Sequence, residues 1–170
     1  MKSHDGPKAQ KNCWIDDQTL LTSGFNRQAG REYAMWDMRK GDEPVHRAKL
    51  GDGAGVAHLY FDRPHGLLYC AGRGDMQIGI YQYHSSLPMG LEEKQKLLSS
   101  SPTKGFSLLP KWALDPNKHE VDRAVHMTND KTIIYRSFTL ANRTGLFQPE
   151  LYPPFDDNIP GNTYTEWAGG

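Results

Sequence analysis

With 170 residues, the chain has room for one domain of ordinary size and a sizeable core, and its 20 Lys plus Arg against 20 Asp plus Glu leave no overall positive field, so neither nucleic acid nor anionic lipid is expected as a partner. Cys13 and Cys70 lie far apart and outside any CxxC pair, which supplies neither a disulfide framework nor a zinc site and fits a reduced, cytoplasmic compartment. No secretory-type apolar stretch follows Met1, and no run approaches the roughly eighteen apolar residues of a membrane span.

Along the chain, apolar residues come in short bursts bounded by Gly, Pro, Asp and Asn, the punctuation of strands. Leu20 to Gly24 and Tyr33 to Asp37 are the first two, and Trp36-Asp37 ends the second. Val56 to Phe61, Leu67 to Ala71 and Met76 to Tyr83 follow, the last alternating Met76, Ile78 and Ile80 with polar or small residues, as a strand with one face on a core does. Gly90 to Leu98 is the one stretch that reads as a couple of helical turns, stopped by Ser99 to Ser101 and Pro102. Strand-like bursts resume at Phe106 to Leu109, Glu120 to Met127 and Thr132 to Phe138. The fold class is all-β.

These bursts repeat. Leu20-Leu21-Thr22-Ser23-Gly24 followed by Tyr33 to Asp37 matches Leu67 to Gly72 followed by Ile78 to Tyr81, and a weaker third copy starts near Phe106. A period just above the roughly 40 to 45 residues of a WD repeat predicts β-propeller blades, each an antiparallel four-stranded sheet that must stack on its neighbours to bury both faces. Three units fall short of the about four to eight blades that close a ring. The expectation is a partial WD40-type β-propeller with exposed apolar blade faces.

Several motifs then resemble one family. His4-Asp5-Gly6-Pro7-Lys8, Leu21 to Arg27 and Met35-Trp36-Asp37 resemble the fifth-blade run of coronins, WD-repeat proteins that bind actin filaments. Further family-like elements follow in order: Gly72-Arg73-Gly74-Asp75 with Ile78, Pro110-Lys111 through Asp115, Glu120 to Arg123, and the Phe147-Gln148-Pro149-Glu150-Leu151-Tyr152-Pro153 run. The resemblance implies roughly blades five to seven of a seven-bladed propeller over residues 1–145, and over 146–170 an irregular C-terminal extension packing on the propeller underside. It departs from the pattern at Arg73, where the family has lysine, at Gly79, where an arginine is usual, and at Leu140 to Arg143. No heptads follow Trp167, so coiled-coil association is not expected.

The resemblance also implies residue roles. His4, Ser23 and Trp36, with Asp37 beside them, are the candidates for the hydrogen-bond network of a WD blade; the usual aspartate is missing, with Asn26 near its place. Gly72, Gly74, Asp75, Pro110, Lys111, Glu120, Arg123, Phe147, Gln148, Leu151, Tyr152 and Pro153 carry the family signature. Because actin filaments are acidic, Lys8, Arg27, Arg31, Arg73 and Lys111 are the candidate filament contacts.

Catalytic readings find no constellation to rest on. Gly51 to Gly55 and Gly72 to Asp75 are Gly-rich but lack the P-loop lysine spacing, and Arg73-Gly74-Asp75 reads as a turn between strands. The seven histidines form no HxH or HxxxH pair, so no metal is expected, nor any cofactor. Asp16-Asp17, Glu92-Glu93 and Asp156-Asp157 read as solvated loops. The expected function is therefore filament recognition without turnover, other cytoskeletal proteins being further possible partners. Two rivals stand beside it: a WD-repeat scaffold for other proteins that has lost filament binding, and a truncated product without independent activity.

Overall fold

Alternate residues of one strand serve two different cores here, and that organises the molecule. A computed structural model describes residues 3–86, 90–140, 149–152, 165, 168 and 169. The first sheet joins β1 (Lys11–Trp14), β2 (Thr19–Phe25), β3 (Arg31–Asp37) and β4 (His46–Lys49) in chain order. β5 (Ala57–Asp62), β6 (Leu67–Gly72), β7 (Gln77–His84) and β8 (Gly90–Leu98) build the second in the same way. The third pairs β9 (Thr103–Leu108), β10 (Glu120–Thr128) and β11 (Ile133–Thr139), three strands among the described residues. All pairings are antiparallel.

Leu68 and Cys70 of β6 point to the first sheet, where they meet Leu21, Tyr33, Met35 and Leu50. Tyr69 and Ala71, one step along, point the other way and pack with Phe106 and Ala124 of the third sheet. Period-two alternation thus sandwiches the second sheet between the other two, the stacking a propeller blade requires. Each large apolar side chain buried in this way contributes about 1.5–3 kcal/mol. Aromatic contacts tie the second and third sheets: the Tyr69 and Phe138 rings lie 4.8 Å apart and those of Tyr60 and Phe106 5.5 Å. Cys13 and Cys70 are free thiols; burial first, and then the neighbouring Cys70, pushes Cys13 up to about 12, so it stays an inert thiol.

Turn chemistry sets the register. Asp16 Oδ1 accepts from the Gln18 and Thr19 amides at 2.9 and 2.7 Å and closes β1–β2. Gly74, at φ +85°, closes β6–β7 in a conformation that few L side chains adopt. Gly79, the departure noted in the sequence, leaves space for the Tyr81 ring, which folds back over it and would collide with any Cβ there.

Gly90–Leu98 is a strand, which corrects the helical reading. Its Leu, Glu, Lys and Gln are strong helix formers, but pairing along β7 from Gln77↔Leu98 to His84↔Gly90 overrides propensity. Glu92 to Lys96 lie exposed on this outer strand, where charge discourages edge-to-edge association. On the far face of the third sheet, Met127 pairs with Ile133 and Val125 with Tyr135, leaving Met127 42%, Ile133 58% and Tyr135 71% exposed. The first sheet differs, since Trp36 is only 2% exposed.

Candidate functional site

In antiparallel sheets, successive turns fall at opposite ends. One end therefore carries the β2–β3, β6–β7 and β10–β11 turns with the β4–β5 and β8–β9 connections, and backbone bonds link them: Arg73 N to Val56 O at 3.0 Å, Gly74 N to Thr103 O at 2.8 Å, Asn129 N to Pro102 O at 2.9 Å. The other end carries the β1–β2, β3–β4, β5–β6 and β9–β10 connections.

At the first end, Arg31 is not a surface residue. It is 5% exposed, and its Nη1 donates to Asp75 Oδ2 at 2.6 Å and to Gly55 O at 3.2 Å while Nε donates to Leu50 O at 2.9 Å. This planar fork ties β3 to the β6–β7 turn across the interface of the first two sheets. The glycines around it are the space it occupies: a Cβ on Gly53 or Gly72 would overlap both Asp75 and Arg31, and one on Gly55 would overlap the Arg73 backbone. Gly51 to Gly55 and Gly72 to Asp75 thus form the seat of a buried ion pair. Arg31 is withdrawn from the candidate filament contacts, because its guanidinium is already committed to three internal acceptors.

The blade network is complete, with membership different from that expected. Trp36 Nε1 donates to Thr22 Oγ1 at 2.9 Å, and Thr22 Oγ1 lies 3.0 Å from His4 Nε2. His4 Nδ1 faces the Glu32 carboxylate at 2.8 Å, so that nitrogen carries the proton and Nε2 accepts from Thr22. Glu32, also paired with Arg47, supplies the carboxylate expected from an aspartate near Asn26. Ser23 is on the opposite face and donates to Ala57 O at 3.2 Å, toward the second sheet. Asp37 pairs with Arg39 at 2.9 Å and with Lys40 at 3.5 Å, outside the network, and the Arg39 bonds hold its carboxyl well below the ordinary range. Thr22→Val, which keeps the shape, leaves the buried Trp36 N–H and His4 Nε2 without their partner. A loss of about 2 kcal/mol or more in urea unfolding is expected, against about 1 kcal/mol for Ser23→Ala, whose hydroxyl makes one bond.

Lys111 is half-buried, its side chain 26% exposed, and its ammonium is spent on internal partners. Its Nζ lies 2.8 Å from Asp62 Oδ1, 2.7 Å from Asp122 Oδ1 and 2.7 Å from Val121 O, between carboxylates that are 3% and 1% exposed. Tyr69 donates to the second oxygen of Asp122 at 2.7 Å and His65 Nδ1 meets that of Asp62 at 2.6 Å. Burial raises Asp62, but the bonds from His65 and Lys111 outweigh it and the group sits below its usual range. Burial dominates at Asp122, which is raised despite Lys111. Sequence reasoning picked Lys111 and missed Asp62, His65, Tyr69 and Asp122. Lys111 leaves the filament-contact set for the same reason as Arg31.

The remaining signature residues divide. Glu120 is buried, which raises it, yet Arg123 at 2.8 Å, with Ser137 and the Asp115 amide, brings it to about 2. Leu151 O meets His65 Nε2 at 2.9 Å, and Tyr152 Oη donates to Pro116 O at 3.4 Å. Pro110 precedes the 3-10 turn Lys111–Ala113. Phe147, Gln148 and Pro153, and most of 146–170, lie outside the described residues.

Three candidate cations stay exposed: Lys8, Arg27 and Arg73. Lys8 Nζ donates to Ala54 O at 2.7 Å and sits 4.5 Å from the Phe25 ring centroid. Arg27, in the β2–β3 turn, contacts Asp5 at 3.2 Å with its side chain 75% exposed, and Arg73 follows β6 in the β6–β7 turn. All three occupy the same end of the sheets, where Lys8 Nζ bonds Ala54 O and the Arg73 amide bonds Val56 O of one connection.

No family model matches the sequence. Among curated proteins, it is 32% identical over 169 residues to the coronin-like protein crn1 of Schizosaccharomyces pombe, covering 98% of this chain and 28% of that protein. Coronin-2A of Bos taurus is 29% identical over 170 residues, covering 99% of this chain and 32% of its own length. The crystal structure of the WD40 domain from Toxoplasma gondii coronin superposes with a TM-score of 0.85 at 37% identity, over 99% of this chain and 44% of that one. The chain thus spans about a third of the length of these curated relatives. Three stacked antiparallel sheets, a His–Thr–Trp blade network and this similarity along nearly the whole sequence place the chain in the coronin family, as part of its WD-repeat propeller.

Proposed function

We propose that the chain binds filamentous actin in the cytoplasm by surface recognition, through the blade end that presents Lys8, Arg27 and Arg73. The observation that carries the reading is the sorting of five family-motif cations: Arg31 and Lys111 spend their charges on internal acceptors, and the three left exposed share one end. Clustered cations on a neutral protein provide a local field complementary to an acidic filament. Among the described residues no helix is long and apolar enough to cross a membrane.

Co-sedimentation of the chain with filamentous actin tests this. Pelleting at low salt is expected, weakening steeply as salt shortens the screening length toward about 8 Å. The triple variant Lys8→Glu, Arg27→Glu, Arg73→Glu alters exposed positions only and is expected to lose at least about tenfold in affinity, roughly 1.4 kcal/mol. A chain that stays in the supernatant at low salt sinks the proposal and favours a scaffold for other proteins.

A further inference from the structure

His65 lies in the β5–β6 turn, and both its ring nitrogens face oxygens that only accept. Nδ1 is 2.6 Å from Asp62 Oδ2 and Nε2 is 2.9 Å from the carbonyl oxygen of Leu151, 86 residues away. A neutral imidazole has a single N–H and serves one of the two; only the imidazolium serves both. We propose that His65 is a proton-operated latch: as imidazolium it holds the turn Pro149–Leu151 against the second blade, and as neutral imidazole it lets go of Leu151.

The surroundings decide which bond survives deprotonation. Facing the ring are Asp62 of β5 and, behind it, Lys111 of the 3-10 turn Lys111–Ala113, Asp122 of β10 and the Tyr69 hydroxyl of β6. From β7, Gln82 donates to the carbonyls of His65 and Gly66, both at 3.1 Å, and so fixes the turn that presents the ring. Arg63, two residues before, turns to Asp17 at 3.5 Å. One lysine against two carboxylates leaves the cluster short of a positive charge, which the imidazolium supplies. When the ring loses one proton, the carboxylate bond, being charge-assisted, keeps the hydrogen on Nδ1. Nε2 then turns a lone pair toward the Leu151 oxygen, and two acceptors face each other.

The sign of the pH dependence follows. The Asp62 bond raises the proton affinity of His65, outweighing burial and Lys111, with the Leu151 carbonyl adding to it. A histidine raised on folding contributes fully below its unfolded value of about 6.5, and the contribution is lost as pH rises through the folded value. Tyr152 supplies a second anchor through Pro116 that does not follow this titration, because burial raises its hydroxyl and keeps it protonated. Deprotonation therefore loosens the docked turn at its His65 contact and leaves the Tyr152 contact in place.

Two signals in the full chain test the latch by NMR: the ring nitrogens of His65, and the exchange protection of the Tyr152 amide, which donates to Pro149 O at 3.0 Å. Both ring nitrogens should be protonated at low pH with a midpoint above about 6.5, and the Tyr152 protection factor should fall about threefold or more with the same midpoint. His65→Gln has no titrating ring, so its protection should be flat over that range. A His65 midpoint at or below the unfolded value, protection unchanged across the His65 titration, or the same pH dependence in His65→Gln would each overturn the proposal. The first two outcomes are read on the unmodified chain, so the test stands even where the variant does not fold.

Discussion

Arg31→Met is expected to cost about 3–5 kcal/mol in urea unfolding, the penalty for leaving a buried charge unpaired. The substitution keeps the stem volume and removes the fork, so Asp75 loses its 2.6 Å partner with its side chain only 8% exposed, and the Leu50 and Gly55 carbonyls lose their donor. For a chain of this size the loss corresponds to a fall in Tm on the order of 10 °C. Removing both charges separates a structural role from a surface one. Arg31→Met with Asp75→Leu leaves no orphan carboxylate and should recover most of the loss, because replacing a buried pair by apolar side chains is often close to neutral. Arg31→Lys should recover little, since one ammonium cannot span three acceptors that a planar fork reaches. If Arg31→Met unfolds within about 1 kcal/mol of the parent, the ion pair does not tie the first blade to the second.

Strand bursts bounded by Gly and Pro were legible because the physics is local: β2, β3, β5, β6, β7, β10 and β11 each fill a burst read from the sequence. β8 was not, since its residues favour a helix in isolation and only the β7 partner makes it a strand. Ser23, the hydroxyl expected in the network, misses it by one residue, which in a strand is a change of face. Register offered the missing signal: Leu20 pairs with Trp36 and Thr22 with Ala34, so Thr22, along with Glu32 on β3, shares the face of the indole while Ser23 does not. The acid of the network is Glu32, a longer carboxylate on β3 itself, and not an aspartate in the loop near Asn26.

Charge placement was the least legible part. Arg27 and Arg31 are four positions apart, and one is solvated while the other is buried, because Asp75 lies 44 residues away and no local pattern announces it. Gly51 to Gly55 and Gly72 to Asp75 appeared as turn signals, and they are; their density also reflects the guanidinium they enclose. Among the described residues every buried side-chain nitrogen and oxygen has a partner, so a motif cation that is buried must be accounted for inside the fold before a partner is assigned to it.

Lys111→Met should produce a loss of similar size with a pH signature of its own. Asp62 and Asp122 share the Nζ at 2.8 and 2.7 Å and are both nearly inaccessible, so removing the cation leaves two carboxylates facing each other in a poorly solvated interface. About 3–5 kcal/mol is expected at neutral pH. In the parent protein the two acids pull in opposite senses. Asp62, lowered, contributes stability above its unfolded value of about 3.9 that is lost as pH falls through its folded value; Asp122, raised, contributes below about 3.9 and loses that contribution as pH rises through its folded value. Without Lys111 Asp62 keeps His65 as the group that lowers it, while burial and the neighbouring Asp122 carboxylate raise it, so one proton is taken up between the pair above the parent range. Each proton bound by the folded state stabilises it on acidification, and His65, protonated at the same time, replaces part of the missing positive charge. The difference in unfolding free energy between parent and variant should therefore shrink as pH is lowered from about 7 to about 5, where a solvated lysine would give a small difference independent of pH. A constant gap across that range would mean that Lys111 serves the interface by packing alone.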